Sequence, residues 1–240
     1  MFFQHNVKPL ADTWGISGKI TINAILNLLD DIAMQHAAST GDDVLARSQN
    51  AVNWIMTGWD IRILHLPQNN EGIKIKTWVN SKLSISSSIR EFLLMDANDS
   101  DCVHAQAYIS IFDLNKNRPV RITDEDLARY QPEAATVITD PIKRISTPTS
   151  YCFEKNMVIR RSDIDFNGHV HNTNYLTLAM EVLPEELCNE QNLQAIRINY
   201  KKPLLLDDVA TIRLATTERG YVVGIYKSGS QLCALIEFVV

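Results

Sequence analysis

An α+β fold made of two tandem copies of one unit, each a helix followed by antiparallel strands, is what the sequence predicts. Three observations carry it. Residues 20–38 and 172–183 each repeat apolar side chains at helical spacing. Each stretch is followed by runs that alternate apolar and polar residues, as half-buried strands do. The two halves also match in order, which implies duplication, with one buried helix wrapped by each sheet.

In the first copy, Ile22, Ile25, Leu26, Leu29, Ala33 and His36 fall on one helical face, and a polar loop through Thr40, Gly41, Asp42 and Asp43 follows. Trp59, Ile61 and Ile63 alternate with Asp60, Arg62 and Leu64. In the next strand Ile73, Ile75, Thr77 and Val79 alternate with Lys74, Lys76, Trp78 and Asn80. Residues 84–95 and 103–113 continue the sheet across the turn-rich stretch 96–101. After the turn residues 115–119, Thr123 and Asp126 have the spacing of a capping box. Residues 131–150 contain three prolines and no clear period, and read as a linker running over the surface. The predicted organisation is therefore a unit over 1–130, a linker over 131–150 and a second unit over 151–240.

The second copy opens with a strand over 154–160. In its helix, Tyr175, Leu178, Ala179 and Val182 line one side, and Leu176, Met180 and Leu183 most of the other. Only Asn174, Thr177 and Glu181 remain as a polar stripe, so the helix is predicted to be buried. Pro184 ends it by pushing the preceding residue out of helical geometry. Strands over 195–200, 209–216, 221–227 and 232–239 follow. The internal match sets Ile61-Arg62-Ile63-Leu64-His65 against Ile196-Arg197-Ile198-Asn199-Tyr200, with Pro67 close to Pro203.

The 240 residues allow one large domain or two small ones. A net charge of −5 and pI near 5.7 argue against a nucleic-acid-binding surface. No run reaches the roughly 18 apolar residues of a membrane span, and residues 1–6 lack the pattern of a signal peptide. Cys102, Cys152, Cys188 and Cys233 form no C-x-x-C pair and read as reduced thiols of a cytoplasmic protein.

Chemistry concentrates in Asp163-Ile164-Asp165-Phe166-Asn167-Gly168-His169-Val170-His171-Asn172-Thr173-Asn174-Tyr175. Asp165 can act as nucleophile or general base, Asn167 can donate to an oxygen, and His169 can donate or accept near neutrality. A carbonyl substrate needs such groups where water is scarce. Taken alone, D-x-N-G-H is more often a turn whose Asp and Asn bond their own backbone. Tyr175, the apolar helix and the duplicated frame favour the catalytic reading. His169 and His171 with Asp165 could suggest a metal site, but no fourth ligand or known spacing supports one; His171 reads as a supporting or surface group. Glu181 reads equally as a site carboxylate or an exposed member of the polar stripe. Lys201-Lys202, Arg160-Arg161 and Lys143-Arg144 are basic pairs on an acidic chain. Most such pairs are solvated surface.

The run Asp165-x-Asn167-x-His169-Val170-x-Asn172-x-x-Tyr175, with Glu181 ending the helix, resembles the acyl-acyl-carrier-protein thioesterases. The resemblance extends over nearly the whole chain. Trp54-Ile55-Met56-Thr57 before the first strand, Lys76-Thr77-Trp78 in the second, Ile111-Phe112-Asp113 and Arg118-Pro119 are similar to that family's N-terminal half. It implies a double hotdog, in which an antiparallel sheet wraps a long helix twice in one chain. It also implies hydrolysis of acyl thioesters, without a cofactor, to release free fatty acid. Asp165, Asn167 and His169 then take the catalytic positions, and acyl carrier protein is the substrate's carrier. The carrier is typically acidic, which gives the basic pairs a role near the mouth of the site. Oxyanion stabilisation falls to the free N–H groups where the helix over 172–183 begins. The first copy has no D-x-N-x-H and reads as catalytically silent; Ile25, Leu28 and Ile32 line either an acyl pocket or a plain core. Plant members carry a glutamate–cysteine pair after a tyrosine and two basic residues. Here Tyr200-Lys201-Lys202 runs into Pro203 and Leu204, so no cysteine nucleophile stands there. The family's usual asparagine after His169-Val170 is His171. Rival readings are an acyl-coenzyme A thioesterase, a hotdog hydratase and a non-catalytic acyl-binding protein. The hydratase motif has its histidine five residues after the aspartate and a proline where Gly168 stands; here the gap is four. A monomer and a dimer of chains are both compatible with two units in one chain.

Overall fold

The structure, a computed structural model, describes residues 1–42, 52–68, 72–116, 118–139, 144–188 and 192–240. The chain divides into two compact units, Met1–Asp140 and Pro141–Val240.

The first unit contains strands β1 (Phe3–Val7), β2 (Val52–Ile63), β3 (Ile73–Ser84), β4 (Ser87–Met95), β5 (Asp101–Asp113) and the two-residue β6 (Arg118–Pro119). Its helices are α1 (Ile22–Ser39) and α2 (Asp124–Ala128). The sheet runs β1-β3-β4-β5-β2, every neighbour antiparallel, with β6 on β5. Helix α1 starts two residues later than its periodicity predicts, because Ile20 bridges Trp14 in extended geometry and Thr21 caps the helix through Ala24 N–H. Its buried face is Ile22, Ile25, Leu26, Leu29, Ile32, His36 and Ala37. Leu28 is half-buried. The predicted capping box at Thr123 and Asp126 is present. Strand β2 begins at Val52, so Trp54–Thr57 lies inside the strand instead of before it. Strand β1 is an edge strand whose middle three residues are exposed, which leaves no alternation to read.

The second unit contains β7 (Phe153–Val158), α3 (Asn174–Met180), α4 (Glu185–Cys188), β8 (Ala195–Tyr200), β9 (Val209–Thr217), β10 (Gly220–Lys227) and β11 (Gln231–Val239). Its sheet runs β8-β11-β10-β9-β7, again antiparallel throughout. Helix α3 packs on β10 and β11 and buries Tyr175, Leu176, Leu178 and Ala179. It is shorter than the predicted 172–183. At its start the N–H groups of Thr173 and Asn174 are taken by His171. At its end Val182 and Leu183 close tight i→i−3 turns before Pro184.

Backbone bonds displace the internal sequence match by two residues. Leu64 and His65 N–H both donate to Cys102 O, as Lys201 and Lys202 N–H do to Cys233 O. Ile61 therefore corresponds to Ile198, not Ile196. An alternating strand matches itself at every even shift, because side-chain direction repeats every second residue.

The stretch 131–150 is anchored where it is described. Glu91 is fully buried. Its carboxylate accepts from Asn80 (2.9 Å), Gln106 (3.0 Å), Thr136 Oγ1 (2.9 Å) and Val137 N–H (3.2 Å), which binds 136–137 onto the first sheet. A buried carboxylate demands donors, and this segment supplies two of them. Ile145 packs with Val222 and Leu235 of the second sheet.

Candidate active site

The motif turn is built from its foundations upward. Asp163, 4% exposed, ends a 3-10 turn (Arg161–Asp163). Its carboxylate accepts from Arg160 N–H (2.8 Å), Nη2 (2.8 Å) and Nε (3.2 Å). Burial pushes this carboxyl up, but the bonds from Arg160 outweigh burial and hold it below its ordinary value. The Asp163 carbonyl accepts from His171 N–H (2.9 Å) and Asn174 Nδ2 (3.1 Å). Ile164 bridges Val170, and between them Asp165 N–H donates to His169 O (2.8 Å) and Gly168 N–H to Asp165 O (3.0 Å). Gly168 takes φ +75°, where a Cβ is strained. Two tyrosines hold the assembly from below. Tyr175 OH accepts from Leu204 N–H (2.9 Å) while Leu204 O accepts from Val170 N–H (2.9 Å). Tyr200 OH donates to Asn172 O (2.8 Å). Burial drives the Tyr175 phenol well above its ordinary range, so it stays neutral.

Asp165, Asn167 and His169 share this one turn. Asp165 is half-buried, its Oδ1 accepting from Asn167 N–H (2.8 Å) and His169 N–H (3.3 Å) and its Oδ2 from Asn167 Nδ2 (3.3 Å). Asn167 is exposed and His169 half-buried. The local bonding expected of an ordinary Asp–Asn turn is thus present too.

The remaining predicted residues fall elsewhere. His171 Nδ1 accepts from Thr173 N–H (3.4 Å) and lies 2.9 Å from Thr173 Oγ1, so it serves the start of α3. With Asn174 N–H on His171 O, that bonding occupies two of the N–H groups expected to bind an oxyanion. Glu181 is exposed and pairs with Lys155 at 2.9 Å. Arg160 is committed to Asp163, whereas Arg161, Lys201 and Lys202 are exposed. Arg144 is exposed, and Lys143 lies outside the described residues. Asp163, Leu204 and Tyr200 support the turn through partners that the sequence pattern does not bring together. The Arg160-x-x-Asp163 spacing is the one signal that could have found any of them.

The first unit repeats the turn at 11–21. Its 3-10 turn is Ala11–Thr13, and Trp14 bridges Ile20. Gly15 N–H donates to Lys19 O (2.8 Å), Gly18 N–H to Gly15 O (2.9 Å) and Thr21 N–H to Thr13 O (3.0 Å). Ile20 N–H donates to Pro67 O (3.1 Å), as Val170 N–H does to Leu204 O. Gly18 takes φ +73°. Gly15, Ser17 and Lys19 stand where the second unit has Asp165, Asn167 and His169.

Residues 1–130 match the family model of the acyl-ACP thioesterase N-terminal domain, and residues 146–231 that of the C-terminal domain. The chain belongs to the acyl-ACP thioesterase family. It is 25% identical over 222 residues to oleoyl-acyl carrier protein thioesterase 2, chloroplastic, of Arabidopsis thaliana, covering 85% of this chain and 60% of that protein. It is 25% identical over 236 residues to thioesterase 1 of the same plant, covering 90% and 65%. This family member therefore spans under two thirds of the length of these relatives. Among solved structures, an acyl-ACP thioesterase from Bacteroides thetaiotaomicron superposes with a TM-score of 0.87 at 19% identity, covering 99% of this chain and 97% of that one. The 12:0-ACP thioesterase from Umbellularia californica superposes with a TM-score of 0.89 at 15% identity, covering 99% and 96%. These likenesses establish the double-hotdog fold. Among the described residues, no helix of this family member is long and apolar enough to cross a membrane.

Proposed function

We propose that this chain hydrolyses acyl thioesters of acyl carrier protein to free fatty acids, with the Asp165 carboxylate as the reacting group. The family supports the reaction class. The observation that carries the assignment of Asp165 is the twin turn of the first unit. That turn keeps the same backbone bonds with Gly15 in place of the aspartate. The carboxylate is therefore not required to hold the turn, and the ordinary turn-forming role does not account for it. Among the described residues, its Oδ1 is engaged by two backbone N–H groups, and its Oδ2 carries only the 3.3 Å bond from Asn167. Oδ2 is the atom with a lone pair to spare.

As a base, Oδ2 takes a proton from water as the water oxygen bonds to the thioester carbon; the C–S bond then breaks and the proton leaves with the thiol. As a nucleophile, Oδ2 itself bonds to that carbon while the C–S bond breaks and the thiolate leaves, taking a proton from solvent; water later cleaves the mixed anhydride to the fatty acid and the Asp165 carboxylate. Asn167 and His169 orient the water or the carbonyl. Lys201 and Lys202 contribute positive charge toward an acidic carrier. Cys102, Cys152 and Cys233 are unbridged, which supports a reducing, cytoplasmic setting.

Thiol release from acyl-acyl-carrier-protein substrates of graded chain length tests the reading. A hydratase or a non-catalytic binder releases none. The same assay with acyl-coenzyme A decides between the two carriers. Label in the Asp165 carboxylate after single turnover in ¹⁸O-water would identify the nucleophile route with water attacking the Asp165 carboxyl carbon, and trapping of an acyl-Asp165 adduct covers attack at the acyl carbon.

A further inference from the structure

In the first unit, far along the chain from the motif turn, three donors of different kinds converge. His65 Nε2 lies 3.2 Å from Cys102 Sγ and 3.9 Å from Asp96 Oδ2. All three donor atoms fall within 4.8 Å of one another, the one such grouping of His, Cys, Asp and Glu among the described residues. We propose that this trio binds one borderline-soft divalent cation, such as Zn²⁺, with water completing a four-coordinate shell.

The donor set is an imidazole, a thiol and a carboxylate, each a common zinc ligand. Bond lengths to zinc of about 2.0–2.3 Å at tetrahedral angles separate donors by roughly 3.4–3.6 Å. Two of the three separations, 3.2 and 3.9 Å, bracket that value, and the third, between Cys102 and Asp96, is within 4.8 Å, so the exposed His65 and the Asp96 carboxylate close on the cation by side-chain rotation.

The scaffold is already in place. Leu64 and His65 N–H groups donate to Cys102 O at 2.9 and 3.2 Å, fixing the end of β2 against the start of β5. Asp96 Oδ1 accepts from Asn98 N–H (2.8 Å) and Ser100 N–H (2.9 Å), which turns Oδ2 toward His65. Those backbone bonds hold the Asp96 carboxyl below its ordinary value, in its ligating form. Cys102 is buried, whereas the His65 side chain is 47% exposed and leaves an entry path and a place for water. On binding, the cation displaces the Cys102 thiol proton to solvent.

The second unit supplies an internal contrast. Cys233 occupies the place of Cys102, and its Sγ likewise donates to the carbonyl two residues earlier, at 3.4 Å in both units. There Lys202 replaces His65, and Lys227 lies close enough to perturb the thiol. Ammonium groups cannot ligate, so of these two equivalent places only that of the first unit can hold the cation.

The test uses the full chain in a Cys152→Ser, Cys188→Ser background, reduced, chelator-stripped and titrated with Co²⁺. One equivalent should bind with a sulfur-to-cobalt charge-transfer band, and one equivalent of Zn²⁺ should displace it. Cys102→Ser should abolish the band. Loss of a ligand should exceed the roughly 10–100-fold loss in affinity seen for outer-sphere partners, so His65→Ala should weaken binding by more than that. His65 is exposed enough for the alanine variant to fold. Absence of the charge-transfer band, or a band and affinity unchanged in His65→Ala, overturns the proposal.

Discussion

Residues 13–21 and 163–171 form the same turn twice, and only the second carries a carboxylate and an imidazole at the matching positions. Both have a bridge at the base, a glycine at positive φ, and a bond from the base to the chain that follows β2 or β8. The first has Gly15, Ser17 and Lys19 where the second has Asp165, Asn167 and His169. The backbone of the turn is thus common to both units, and the difference lies in three side chains. The entries to the two helices differ as well. Thr21 caps α1, which runs 18 residues, whereas His171 in the same place engages Thr173 and α3 begins late and runs only 7.

The sharpest way to break this comparison is to treat equivalent positions alike. Asp165→Asn should lower turnover by roughly 10²–10⁴-fold, the usual cost of a lost general base. Ser17→Ala and Lys19→Ala should leave turnover within about twofold, because Gly15 gives their turn no carboxylate at the place of Asp165. Comparable turnover by folded Asp165→Asn would remove the aspartate from the mechanism.

Glycine substitution sharpens the claim that the backbone is shared. Nothing lies within 4 Å of a Cβ at Gly18 or Gly168, so alanine there meets only left-handed strain. Each should cost about 1–2 kcal/mol of stability by denaturant titration. Only Gly168→Ala should also reduce turnover. An activity loss from Gly18→Ala matching that from Gly168→Ala would mean both turns serve the reaction.

Charge reversal of Lys201 and Lys202 asks whether the second unit faces the carrier. kcat/KM for acyl-acyl-carrier-protein should fall by about tenfold, a modest steering effect. Salt should mimic part of that fall, since screening acts beyond about 8 Å at physiological strength. A small thioester should be nearly unaffected; equal losses on both substrates would point to damage at the site.

Asp163 tests the foundation that Thr13 replaces in the first unit. Its folded pKa lies below the ordinary 3.8, so its contribution is present above that value and lost as pH falls through the folded one. Arg160 is 64% exposed, which limits the pair to roughly 0.2–1 kcal/mol. Denaturation midpoints of wild type and Asp163→Asn should therefore differ at pH 6 and converge below pH 4. Parallel curves across that range would rule this linkage out. The smallest effect is expected from the thiols. With Leu204 in the position where plant members carry cysteine, a folded variant lacking all four cysteines should keep its thioesterase turnover, and loss of activity would restore a cysteine to the mechanism.

Much of this was legible in the one-dimensional pattern. Strand β8 has its predicted limits, and α1, β9, β10 and β11 lie within two residues of theirs, because alternation and helical period are strong over those lengths. The grouping of Asp165, Asn167 and His169 was legible too, since a turn of five residues brings its own members together. Local pattern did not reveal edge strand β1, whose exposed residues have no apolar face to alternate. Nor did it set the register between the copies, because an alternating strand is ambiguous by two residues. The early end of α3, the pairing of Glu181 with Lys155 and the clamp of Leu204 between Tyr175 and Val170 depend on partners distant in sequence. Sequence period reports which residues must be buried. Which hydrogen-bond donor meets which acceptor is decided only when the chain closes on itself, as buried polar groups find partners wherever the sheet brings them.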